Sequence, residues 1–351
     1  MAPVAEDLAF PILGRSFVGR GVPDPLRGWL LEQWWRPEQS LPARRFAIVL
    51  EWVASDRTPA ALEGEPVRAL VPGRLLNWRS SGGQWEWRGG GATGVRLTLA
   101  PEQARIQAWG TDAPDEELFT ALYIAICEAL RASGLLPLHA AVAAPPAGTV
   151  EWPPPATCSV PDDPAAAEPA AIAFLGGRGA GKSTTLLHLV RAGWTPVAED
   201  VCWIDPDTHV LYGWDRGIRL RRAAIEAFFS ELSGAPWVED PDGKLLLRYD
   251  ELARRGQAAG GRGRGEGDAG GAARRGTLAG IAQLHRAAGR DTGWEPLPAR
   301  DAVRALWEAV GVPLGGAARQ AAAAWIGTVA ARLPLCRLRL GETPPGPPPP
   351  W

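Results

Sequence analysis

The chain has 351 residues, 46% hydrophobic and 22% charged, enough for a substantial core in one large or two medium domains. A formal net charge of −2 supplies no global field that would draw a nucleic acid or a membrane surface, and no stretch approaches the roughly 20 apolar residues of a membrane-spanning helix. The N-terminus lacks a basic segment followed by an apolar one, so a cytoplasmic location is expected, and the four cysteines, Cys127, Cys158, Cys202 and Cys336, lack the spacing of a zinc site or a disulfide framework.

Residues 1 to about 40 read as irregular. Short apolar or alternating runs follow at 46–53, 67–71, 74–78, 84–88, 95–99 and 104–109, separated by turn signals such as Pro72-Gly73 and Gly89-Gly90-Gly91. They predict an antiparallel, β-rich N-terminal domain over 1–114. Ser80-Ser81-Gly82-Gly83-Gln84 resembles the signature of ABC-transporter ATPases, but that signature follows the phosphate loop and caps a helix. Here it lies between Trp-rich strand candidates, and a hairpin turn is the reading. Residues 115–132 carry Leu118, Leu122, Ile126 and Leu130 on one helical stripe, with Gly134 as the stop.

From 136 the pattern becomes α/β. A strand is predicted over Pro137 to Ala143, containing His139, and a Pro/Ala-rich insertion at about 145–169 leads to the apolar run 171–175. Directly after it stand Gly176, Gly177, Arg178, Gly179, Ala180, Gly181, Lys182 and Ser183, a complete G-x-x-x-x-G-K-[ST] phosphate-binding loop, followed by Thr184 and an amphipathic helix to Gly193. Glycines let backbone N–H groups close on phosphate oxygens, and the helix start adds its positive dipole end. Of 37 basic residues only Lys182 and Lys244 are lysine. A point charge on a thin stem reaching the β- and γ-phosphates is a lysine task that arginine's planar fork does not fill.

Beyond the loop, strands are expected at 194–204, 244–249, 278–285 and 335–340, extended chain at 210–220, and helices at 223–232, 299–310 and 317–331. Residues 255–276 form a Gly/Arg-rich insertion without interleaved aromatics, read as a surface segment rather than a nucleic-acid arm. Residues 344–351 form a Pro-rich tail. Lys244 either reaches nucleotide or substrate or is a hairpin residue after Asp242-Gly243. Arg216, Arg219, Arg221 and Arg222 either clamp an anion or line a solvated strand edge.

Glu199 and Asp200 stand about 17 residues past Lys182. Phosphoryl transfer to a hydroxyl needs one acidic group to hold Mg²⁺ and another to take the proton of the attacking oxygen. His139, the loop and Val197-Ala198-Glu199-Asp200, in this order and spacing, resemble the catalytic domain of the HPr kinase/phosphorylase family. The chain is most similar to its relatives in lasso-peptide gene clusters, which phosphorylate a serine of a precursor peptide. The resemblance covers roughly residues 115–340. It implies an α/β P-loop kinase core of the HPr kinase and phosphoenolpyruvate carboxykinase type over 115–343, using ATP and Mg²⁺, with nucleotide and a serine-bearing peptide as partners.

By the same resemblance, Gly177, Gly179 and Gly181 shape the loop, and Lys182 bridges the β- and γ-phosphates. Ser183 and Asp200 hold the metal, Glu199 accepts the proton, and His139 contacts the transferred group or orients Glu199. Two departures stand out: Glu199 replaces the family's aspartate, and no counterpart of the Gly-rich C-terminal signature is found, which argues against HPr itself as substrate. A regulatory NTPase without a phosphoacceptor and a small-molecule kinase share the same site features. The oligomeric state is open.

Overall fold

The computed structural model describes residues 7–36, 41, 43–53, 57–71, 74–90, 92–111, 114–146, 168–240, 243–258, 274–286 and 292–341. Most of the two expected insertions, the Pro-rich tail, Cys158 and the Pro72-Gly73 turn lie outside them. The fold is mixed α/β, with seven α-helices among the described residues and mixed sheets. Contacts divide the chain into two compact units, residues 1–137 with 310–324, and residues 138–309 with 325–351.

The first unit is built on an eight-stranded sheet. Its strands are β1 (Leu8–Ile12), β2 (Arg15–Arg20), β3 (Ala47–Trp52), β4 (Glu65–Val71), β5 (Arg74–Ser81), β6 (Gln84–Arg88), β7 (Gly94–Ala100) and β8 (Gln103–Trp109), in the order β1-β2-β3-β8-β7-β6-β5-β4. The expectation of an irregular start is corrected: β1 and β2 form a hairpin, and residues Asp24–Trp34 form helix α1, with proline in its first turn. Alternation was present there in Leu8, Phe10 and Ile12, all buried. The sheet is also not purely antiparallel, because β3 runs parallel to both β2 and β8.

The β5–β6 hairpin turns at Gly82 and Gly83, both with positive φ (56° and 78°), the conformation a two-residue hairpin loop demands. Helix α2 (Glu116–Ala132) starts where Asp115 accepts the Leu118 N–H at 2.7 Å. Its buried Glu128 pairs with Arg131 and accepts the Leu314 N–H at 2.9 Å, while Arg131 donates to the Val310 carbonyl. Residues 310–324 are thereby tied into this unit.

The second unit holds the glycine-rich loop. The short strand β9 (Leu136–Leu138) crosses the unit boundary. It is followed by β10 (Ala140–Ala144), β11 (Ala170–Leu175), α3 (Lys182–Arg191), β12 (Thr195–Ala198), β13 (Cys202–Ile204), β14 (Val210–Gly213), β15 (Gly217–Leu220) and α4 (Arg222–Phe228). Then come β16 (Val238–Glu239), β17 (Leu245–Arg248), α5 (Tyr249–Ala258), β18 (Arg275–Arg286), β19 (Gly293–Pro296), α6 (Ala299–Val310), α7 (Gly316–Arg332) and β20 (Leu335–Leu340).

The main sheet runs β12-β10-β11-β18-β14-β13, with β20 on the C-terminal half of β18 and β19 beyond it. β11 is parallel to β18, so their C-terminal ends open on the same side as the start of α3. Strands β15, β17 and β16 make a separate three-stranded sheet. Phe174, Leu186, Leu187, Leu189, Ile218, Ile225, Phe229 and Leu338 form one buried cluster. It clamps the stripe of α3 between the two sheets, so the helix behind the loop is held by apolar burial.

Two expected strands and one expected extended run are divided. The expected strand through His139 breaks at that residue, whose N–H bonds to the carbonyl of Ala309 instead of a neighbouring strand. The 194–204 run breaks into β12 and β13 at 199–201, and the 210–220 run into β14 and β15 at 214–216.

Candidate functional site

The loop starts where β11 ends. Gly179 and Gly181 have φ of 82° and 100°, and Gly181 is the residue that opens α3. A side chain at Gly181 would be strained by that φ and would meet the Leu340 Cδ1 at 2.9 Å, so glycine is required twice over. Gly177, Arg178 and Gly179 are exposed, and a Cβ on Gly177 or Gly179 would meet nothing within 4 Å. This is an open, backbone-lined mouth at a helix N-terminus.

Lys182 folds back over the loop and donates from Nζ to the Gly176 carbonyl at 2.7 Å. It is only 8% exposed. Burial lowers its pKa, Asp200 and Glu199 raise it, and Lys244 lowers it further. Ala180 donates to the Gly177 carbonyl and Thr185 to the Gly181 carbonyl, closing the turn and the first helical bond. Thr184 is half-buried in that first turn.

Glu199 and Asp200 sit in the break between β12 and β13, opposite the first turn of α3. The Ser183 hydroxyl donates to Glu199 Oε1. Arg219, from β15, joins the two acids: its Nε is 3.2 Å from Glu199 Oε2 and its Nη2 is 2.7 Å from Asp200 Oδ2. His139 Nε2 lies 2.7 Å from Asp200 Oδ1. The loop lysine, the loop serine, both acids and His139 are therefore brought together. The pairing differs from what the resemblance implies, because Ser183 meets Glu199 and not Asp200, and His139 meets Asp200 and not Glu199.

The two acids have different surroundings. Glu199 is 2% exposed and Asp200 31%. Burial pushes the Glu199 carboxyl up to about 7, with Asp200 and Asp215 adding to the rise and Arg219 and Ser183 opposing it. For Asp200, burial also acts upward, but His139, Arg219 and Lys182 outweigh it and hold the group well below the usual carboxylate range.

Two contributors were not assigned from sequence. Arg219 appeared there only as one of four clustered arginines. Asp215 was missed: its Oδ2 accepts the backbone N–H groups of Glu199, Asp200 and Val201 at 2.8, 2.9 and 3.2 Å. It replaces the ladder bonds the chain gives up at the break and fixes the direction in which both acids leave the backbone. The signal available was Gly213-Trp214-Asp215-Arg216-Gly217, an Asp flanked two residues away on each side by glycine, between two apolar runs.

Ser183 and Glu199 offer a hydroxyl and a carboxylate side by side, hard oxygen donors of the kind Mg²⁺ takes when it binds through one or two protein groups. The open glycine mouth and the Lys182 ammonium beside it suit the phosphates of a nucleotide. No model of a known protein family matches the chain, and no curated protein sequence matches it. No helix among the described residues is long and apolar enough to cross a membrane.

Proposed function

We propose that the chain is an ATP- and Mg²⁺-dependent kinase with a P-loop core of the HPr kinase type, transferring the γ-phosphoryl group to the serine hydroxyl of a ribosomally made precursor peptide. One observation carries this reading. The loop lysine and serine face a pair of carboxylates, one buried against the serine and one half-buried and bound to a histidine.

Mg²⁺, when bound, would neutralise charge developing on the phosphate oxygens. Ser183 and Glu199 are the residues that would hold it. Glu199 is too buried to meet an acceptor hydroxyl, which assigns it to the metal side and reverses the roles implied by the resemblance. Lys182 gives up its bond to Gly176 and supports the β- and γ-phosphates.

Asp200 and His139 form the acceptor side. The serine oxygen attacks the γ-phosphorus, the bond from that phosphorus to the β-bridging oxygen breaks, ADP leaves, and the serine proton passes to the Asp200–His139 pair. A loose transition state places little demand on base strength, so a carboxylate held ionised by His139 and Arg219 can orient the hydroxyl and take its proton late. Arg219 keeps the second acid charged next to the first.

Incubation with γ-labelled ATP, Mg²⁺ and peptides ending in serine should place the label on the peptide as an acid-stable phosphoester. Label released only as free phosphate, across peptides and small hydroxyl compounds, would mean a nucleotide hydrolase and would sink the kinase reading.

A further inference from the structure

Lys244 is the one lysine outside the loop, and the roles above leave it unused. Its place follows from register. The β16–β17 pairing of Glu239 with Leu245 continues one step, because Asp240 N–H donates to the Lys244 carbonyl at 2.8 Å and the Asp240 carboxylate accepts the Lys244 N–H at 2.8 Å. Lys244 is thus set in the ladder although it stands just before β17. On the other side, Leu246 lies directly opposite Arg219.

Residues opposite one another share a face of the sheet, and so do residues two apart. Lys244, Leu246 and Arg219 therefore project to the same side, the side on which Arg219 holds Glu199 and Asp200. The neighbouring Leu245 and Leu247 are buried on the opposite face, whereas Lys244 is half-buried. No ion pair neutralises Lys244 among the described residues, and its charge opposes that of Lys182 as the smallest influence on that ammonium, after burial and the carboxylates of Asp200 and Glu199. An anion seated beside Lys182 would therefore meet Lys244 as an additional positive charge from a separate element.

We infer that Lys244 is a second lysine of the phosphate site, contacting the terminal phosphate of a bound nucleoside triphosphate and so distinguishing triphosphate from diphosphate. This rests on the nucleotide-binding reading of the loop and names a contact beyond it. The triphosphate end carries the extra negative charge that both ammonium groups can share, whereas a diphosphate is served by the loop and Lys182 alone.

The test is titration calorimetry of the full chain with a non-hydrolysable ATP analogue and with ADP, each with Mg²⁺. It uses whichever of Lys244→Met and Lys244→Gln keeps the wild-type circular dichroism and unfolding midpoint. Loss of a charge-assisted contact should weaken the triphosphate analogue roughly ten- to hundredfold, with ADP affinity within about threefold of wild type. Equal losses for both nucleotides, or no loss for either, overturn the assignment of Lys244 while the nucleotide site stands. Wild-type protein that binds neither nucleotide overturns the site itself, and the inference with it.

Discussion

Glu199→Gln separates the cost of burying a carboxylate from its use. In the unfolded chain this carboxyl ionises near its ordinary 4.5, and in the folded protein near 7, because it is desolvated between Ser183, Arg219 and the neighbouring acids. Between those values the folded state holds a proton that the unfolded chain has lost, so stability falls as pH rises through this window. At about 1.4 kcal/mol per pH unit, the charge costs the folded state about 3 kcal/mol at pH 8 and well under half of that at pH 5. Asp200, held below the usual carboxylate range, is ionised throughout and adds no slope.

Glutamine keeps the shape and can still accept from Ser183, but it never ionises. The difference in stability between Glu199→Gln and wild type should therefore rise in the variant's favour by about 2 kcal/mol from pH 5 to pH 8, roughly 5 °C in unfolding midpoint. His188 and His209, whose imidazoles are held below their ordinary value by burial, are common to both proteins and cancel in the comparison. Thermal unfolding of the two proteins across this pH range, without nucleotide or metal, measures the difference. A gap that stays flat or turns against the variant at high pH would refute the argument. Phosphoryl transfer by the same variant should be lost, making Glu199 a residue kept at a stability cost.

Two further substitutions probe the frame of the site. Asp215→Ala removes the acceptor of three consecutive N–H groups and should cost about 2–4 kcal/mol in chemical denaturation. It should also lower kcat more than the KM for ATP, and an unchanged kcat would remove Asp215 from the positioning role. Gly181→Ala forces a Cβ onto a residue at φ 100° and toward Leu340, so nucleotide binding by calorimetry should vanish with a stability loss of about 1–2 kcal/mol, and wild-type affinity would contradict the loop geometry.

What could be read in advance was what depends on neighbours in sequence. The apolar stripe at 299–310 becomes α6 with the expected ends, and the glycine pattern ahead of Lys182 forms a tight turn into a helix. What could not be read depends on side chains 15 to 20 residues apart in the chain. Nothing in 194–204 announces that its strand must open at Glu199, because the acceptor that pays for the missing ladder bonds is Asp215, from the later break between β14 and β15. Arg219 was indistinguishable from Arg216, Arg221 and Arg222 until the pleat of β15 turned it toward the acids. The first hairpin was masked by Pro11 inside β1, Gly14 before β2 and Gly19 within it, residues that read as loop.

The scarcity of lysine has a consequence for covalent chemistry. Apart from an N-terminal α-amine, these 351 residues offer an acylating reagent two primary amines, Lys182 and Lys244. Burial lowers the pKa of the first, which enlarges its share of free base, and shields it at the same time. An amine-directed probe, whether an ester or an acyl phosphate, would thus read the region around the glycine-rich loop with almost no background from the surface, and protection from it would report directly on what occupies that region.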